Sequence, residues 1–172
     1  MSQSATLEVS PGDTLYLGLR NREEMGIDEN EIWLFDPDDE ELAFLVSEQT
    51  LFIRPDLDIR PANNGKAELE LRKQARGYTH EQAAINAENI QYTWNLEGNR
   101  LVFDPYFTPG NREKFRAQEL DLRLRIPEGT VVYLEEGMED FLRYAENDQD
   151  WWSWKLTGRY WTMGKEELRL NR

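Results

Sequence analysis

From Ala117 to Ile126 the chain alternates residue by residue. Leu120, Leu122, Leu124 and Ile126 fall on one side, and Glu119, Asp121, Arg123 and Arg125 on the other. A period of two is the signature of a strand with one buried face, because successive side chains leave opposite sides of a pleated backbone. A slip of one residue would carry every leucine into water, so such a segment tolerates only a fold that covers one face of a sheet. Lys66 to Arg76 repeats the pattern, with Ala67, Leu69, Leu71 and Ala75 opposite Glu68, Glu70, Arg72 and Arg76. Thr14 to Leu19 does so again with Leu15, Leu17 and Leu19.

Shorter apolar runs fill the spaces between: Glu31–Phe35, Leu42–Val46, Leu51–Arg54, Leu57–Arg60, Gln91–Asn95, Arg100–Asp104 and Thr130–Leu134. Turn signals separate them at Pro11-Gly12-Asp13, Asn63-Asn64-Gly65, Pro109-Gly110-Asn111 and Pro127-Glu128-Gly129. Leu96-Glu97-Gly98-Asn99 reads as the turn of a hairpin. Pro55 and Pro61 place their strands at edges or ends. About ten short strands at this spacing predict an all-β sandwich, barrel or solenoid.

One segment departs from that period. Thr79 to Ile90 reads as a single helix, capped by Thr79 with Gln82 placed to reach back in a capping box. Ala83, Ala84, Ala87 and Ile90 form a narrow apolar stripe, as expected of a helix packed closely on a sheet. Gly77 lets the chain turn sharply into it.

Composition narrows the function. With 172 residues the chain fits one domain and needs no covalent staple, and it contains no cysteine for a disulfide or a thiolate metal site. A net charge of −14 is the wrong sign for nucleic acid or for electrostatic attachment to anionic lipid. No apolar run approaches a membrane span, and MSQSATLEV lacks the basic end and apolar core of a signal peptide. Residues 1–172 then read as a single soluble β-rich domain, either cytosolic or excised from a larger protein, and the strand-like start at Leu7 favours excision.

Three constellations could carry chemistry. Glu23 to Glu41 holds ten acidic residues and no basic one. Asp36, Asp38 and Asp39 could ligate calcium, but the spacing lacks the glycine and terminal glutamate of a helix–loop–helix site, and a solvated loop is the simpler reading. Four of the six tryptophans lie in NDQDWWSWKLTGRYW: Trp151, Trp152, Trp154 and Trp161, with Tyr160 beside the last. As a strand, Trp152 and Trp154 would share one face and Trp151 the other, which fits a terminal strand closing the core. Exposed, the same rings could stack on sugars or enter partner pockets. The single histidine, His80, sits in the first helical turn without a nucleophile motif and reads as an idle surface residue. Nothing ranks one carboxylate pair above another for glycoside hydrolysis.

Several short motifs, in order, resemble one family. They are Ala75-Arg76-Gly77, Glu81-Gln82-Ala83, Ala87-Glu88-Asn89-Ile90-Gln91-Tyr92, Leu101-Val102-Phe103-Asp104 with Tyr106-Phe107, Lys114-Phe115-Arg116-Ala117-Gln118-Glu119, Ile126-Pro127-Glu128-Gly129 and Trp161-Thr162-Met163. Together, over roughly Thr14 to Leu168, they are similar to the C-terminal domain of Bacteroidetes proteins that carry an N-terminal phage-shock-protein-C (PspC) domain. The usual Gly-Leu after the Trp-x-Met motif is replaced here by Gly164-Lys165-Glu166-Glu167-Leu168.

The resemblance implies a toast-rack domain, all-β, stacked like a single-stranded right-handed β-helix, with a sandwich as the alternative and the helix near 79–91 as a cover. It implies a non-catalytic interaction or sensing module in envelope stress, without catalytic residues, cofactors or metals. Its partner would be a protein at the membrane or a second copy. Its place would be the cell envelope, as a domain excised from a larger membrane-anchored protein, with the periplasmic side favoured over the cytoplasmic face. A glycan- or peptidoglycan-binding module using the Trp-rich segment is the alternative. The expected interaction surface comprises Trp151, Trp152, Trp154, Tyr160, Trp161, Asp36, Asp38 and Asp39.

Overall fold

The alternation becomes one-sided burial. In a computed structural model of the chain, Leu120, Leu122, Leu124 and Ile126 are each at most 2% exposed, while the charged residues between them line the opposite face. The structure describes residues 1–10, 12–27, 50–110 and 115–172, together with the backbone of the strands at 32–36 and 39–47. Asp36, Asp38 and Asp39 lie outside the residues whose side chains are described.

The strands of the first half are β1 (Ser2–Leu7), β2 (Leu15–Leu19), β3 (Ile32–Asp36), β4 (Asp39–Ser47), β5 (Thr50–Ile53), β6 (Asp56–Pro61) and β7 (Ala67–Gln74). After helix α1 (His80–Glu88) come β8 (Trp94–Glu97), β9 (Arg100–Phe103), β10 (Glu119–Ile126), β11 (Val131–Leu134), β12 (Leu142–Ala145), β13 (Arg159–Met163) and β14 (Leu168–Leu170). They form a five-stranded sheet in the order β1-β7-β10-β6-β12 and a six-stranded sheet in the order β14-β13-β11-β2-β9-β8. A separate antiparallel meander joins β3, β4 and β5.

This arrangement corrects the β-helix expectation. A solenoid lays each coil beside the next in chain order. Here β2 is inserted, parallel, between β9 and β11, and β6, also parallel, between β10 and β12. The outer pairs β1–β7, β7–β10, β11–β13, β13–β14 and β8–β9 are antiparallel. Among the described residues both sheets end in strands paired on one side only, so neither closes on itself. Their inner faces contribute to one core: Leu57, Ile59, Leu69 and Leu122 from one sheet meet Leu15, Leu17, Phe103, Leu134 and Trp161 from the other. Two mixed sheets sharing one core are sandwich-like.

Proline placement follows the same correction. β6 is an interior strand, and Pro61 is tolerated as its last residue. The hairpin β8–β9 turns at Gly98-Asn99, with Gly98 at φ 63° and Glu97 opposite Arg100.

Helix α1 lies against β7. Thr79 Oγ1 accepts from the Gln82 backbone N–H at 3.1 Å. The Gln82 side chain completes no capping box; it donates to Asn86 Oδ1 at 3.0 Å, and Asn86 Nδ2 donates to the Arg76 carbonyl at 2.8 Å. The buried stripe is Asn86, Ala87 and Ile90 with Ala83 half-buried, whereas Ala84 is exposed. A side chain on Gly77 would stand 2.5 Å from the backbone nitrogen of Ala83, so glycine is required by close approach of the helix. Lys73 anchors the far end by donating to the Ile90 carbonyl at 2.9 Å, and burial pushes its ammonium below the ordinary lysine range.

Candidate functional site

The part of the Trp-rich segment that holds Trp151, Trp152 and Trp154 is not a strand; only Arg159–Trp161 belongs to one, β13. Asn147, 6% exposed, organises it as a loop: its Oδ1 accepts from the Trp151 N–H at 2.9 Å, and its Nδ2 donates to the carbonyls of Ala145 (3.0 Å) and Trp151 (2.9 Å). Asp150 takes a left-handed conformation at φ 51°, which a short polar side chain tolerates. Asp148 fastens the loop to β14, donating its backbone N–H to the Leu168 carbonyl at 2.9 Å and accepting from the Leu170 N–H at 3.1 Å. A single 3₁₀ turn, Ser153–Lys155, follows.

Below the turn lies Trp161. It is 0% exposed, and its indole N–H donates to the Leu156 carbonyl at 2.9 Å. A side chain so enclosed belongs to the core, and Trp161 therefore leaves the expected interaction surface. Alternation in β13 is the reason, since Trp161 and Met163 face inward while Tyr160 faces out. Trp151 meets Trp161 edge-on, with centroids 6.1 Å apart at 88°. Arg159 lies 5.2 Å over the Trp151 ring, and the Lys155 ammonium lies 5.4 Å from Trp151 and 5.8 Å from Trp154. On this braced base Trp152 and Trp154 are 76% and 56% exposed.

Tyr160 belongs to a different surface. On the outer face of the six-stranded sheet it packs 4.6 Å from Tyr133 and 6.5 Å from Tyr16. A hydrogen bond with Tyr160 is the main cause that raises the Tyr16 phenol above its ordinary range. The expected residues thus separate: Trp151, Trp152 and Trp154 share one end of the sandwich, Tyr160 joins a tyrosine row, and Trp161 is interior. Lys155, Arg159, Tyr16 and Tyr133 were not anticipated. Their signal was faint, because the cations are sequence neighbours of the tryptophans but the tyrosines meet only through strand pairing at Tyr133–Tyr16 and Tyr133–Tyr160.

The outer face of the five-stranded sheet is occupied by ion pairs. Arg143 forks onto Asp58 at 3.0 and 3.1 Å and reaches Asp56 and Asp121, each at 3.2 Å. The hydrogen bond with Asp58 is the largest influence raising its guanidinium further above the usual range. Arg125 contacts Glu70 at 3.1 Å. At the ends of β2 and β9 in the other sheet, Arg20 pairs with the buried Asp104 at 3.1 Å, whose carboxyl burial pushes upward.

Among the described residues no group of three or more histidines, cysteines or acids could hold a metal ion, and no helix is long and apolar enough to cross a membrane. His80 is exposed at the start of α1. A cleft of about 550 Å³ opens where β1 ends and β10 turns into β11, lined by Val9, Asp13, Lys66 and Glu128 among others.

Comparison with known proteins adds one finding. A family model described as "ToastRack found in some PspC", the C-terminal toast-rack domain, matches residues 40–171. No curated protein and no solved structure gives a significant match.

Proposed function

We propose a function from the premise that this chain belongs to the family of C-terminal toast-rack domains found in some PspC proteins, a family of non-catalytic modules. In this reading residues 1–172 form one domain, tethered to a membrane through segments outside this chain. It works in the cell envelope, on the periplasmic side, as the interaction module of a phage-shock-type stress protein. The carrying observation is the aromatic end: Trp152 and Trp154 stand 76% and 56% exposed on a turn held from beneath by Trp161 and Asn147. Exposed indoles on a rigid base suit a contact surface, because little side-chain freedom is lost when they are covered.

The same two rings support a second reading, binding of a glycan such as peptidoglycan. Sugar rings stack on indole faces, and Lys155 beside Trp154 would meet the carboxylates of an acidic glycan. Surface Trp152→Ala/Trp154→Ala separates the outcomes. On the protein-partner reading, wild type retains a discrete protein from native membranes that the variant loses, with no signal on a glycan array. On the glycan reading, the array or a peptidoglycan pellet captures wild type and not the variant. Equal behaviour of both proteins in every assay would remove the aromatic end from consideration.

A further inference from the structure

Sheet edges that resist pairing carry charge, proline, a bulge or few residues. Three of the four edges of the two large sheets follow that rule. β12 carries Arg143 and a register shift between Leu142 and Tyr144, β14 spans only Leu168–Leu170, and β8 is four residues with Glu97. The fourth, β1, does not. Ser-Gln-Ser-Ala-Thr-Leu is six residues long, without a charge or proline, in a chain of net charge −14. Its residues are mostly exposed, and its register to β7 runs unbroken from Ser2 opposite Arg72 to Leu7 opposite Ala67.

The ladder's phase fixes which backbone groups point outward. Met1 and Lys73 exchange both backbone bonds, at 3.0 and 2.8 Å. Antiparallel alternation therefore turns Gln3, Ala5 and Leu7 toward β7, and points the N–H and C=O of Ser2, Ser4 and Thr6 away from the sheet.

We propose that β1 pairs antiparallel with β1 of a second copy of this chain, about a two-fold axis at Ser4. The strand is self-complementary in that register. Ser4 faces Ser4, Ser2 faces Thr6 and Thr6 faces Ser2, each pair exchanging two bonds, about six in all. Every facing pair on that row is hydroxyl to hydroxyl, and no like charges meet. The symmetry is closed, so pairing stops at a dimer with one continuous sheet across both copies. This deepens the interaction-module reading by naming self-association, and it stands on β1 alone.

Sedimentation equilibrium of the intact chain over a concentration series tests it, with mass expected to rise from 20.4 kDa toward twice that value. Ser4→Lys and Ser4→Glu each place like charges across the axis, so each should weaken association tenfold or more. A one-to-one mixture of the two should recover it. The Trp152→Ala/Trp154→Ala variant should dimerise as wild type does, so loss of envelope binding with an intact dimer separates the aromatic end from this edge. A monomer at all concentrations, a dimer unchanged in both charged variants, or a mixture that fails to recover overturns the proposal. Circular dichroism melts of each variant confirm that the fold is retained.

Discussion

Replacing Arg143 with methionine leaves three carboxylates, Asp56, Asp58 and Asp121, facing one another without their shared cation. Arg60 stands 3.7 Å from Asp58 and only partly takes over. The magnitude depends on burial. The Asp58 side chain is 7% exposed, so losing its fork approaches the cost of breaking a buried pair, about 3–5 kcal/mol. The Arg143 side chain is 38% exposed, and solvent screening pulls the figure toward the ~0.2–1 kcal/mol of surface pairs. We expect about 2 kcal/mol, near the value of one well-formed charge-assisted hydrogen bond. For a domain of this size that lowers the melting temperature by about 4–8 °C. Urea denaturation and calorimetry at pH 7 measure it. Asp58→Asn in the Arg143→Met background should recover much of the loss. A penalty below about 0.5 kcal/mol at pH 7, or no recovery in the double variant, would refute the assignment of Arg143 as the cation that offsets Asp58.

Trp161→Ala should cost about 3–5 kcal/mol by urea unfolding, because it empties a fully buried indole site and frees the Leu156 carbonyl. Gly77→Ala should cost about 1–3 kcal/mol, with faster amide exchange concentrated in α1, since the added methyl meets the Ala83 backbone. The Glu70 carboxyl is held below its usual range chiefly by the Ser2 hydroxyl, with Arg125 assisting, so its contribution is present above the unfolded carboxylate range and is lost as pH falls through the lowered value. Ser2→Ala should move the Glu70 midpoint upward in an NMR titration, which checks that direction.

Local structure was legible where burial is one-sided. β10 and β7 follow from their leucines, the cap of α1 from Thr79, and the β8–β9 turn from Gly98-Asn99. β1 was missed because an edge strand with exposed serines has no apolar period to read. β12 hid in the mixed stretch after Glu135, where four residues and a register shift leave little pattern. The β-helix expectation failed for a deeper reason. Period two says which face is buried and nothing about which strand lies alongside, and β2 between β9 and β11 is a choice made by long-range pairing. At the candidate site, clustering of tryptophans was visible, but their fates were not. Trp161 is interior by its phase in β13, whereas Trp152 and Trp154 are exposed because Asn147 and Asp150 turn the preceding chain into a loop.

In the proposed function the aromatic end carries the contact surface. Photocrosslinking in native cells probes that contact, with a benzophenone amino acid placed at Trp152 or, as a control, at Tyr78, which is 94% exposed on the approach to α1. A discrete adduct, protein or glycan, is expected from position 152 and none of that size from position 78. No adduct at 152, or the same adducts from both positions, would remove the aromatic end as the contact surface.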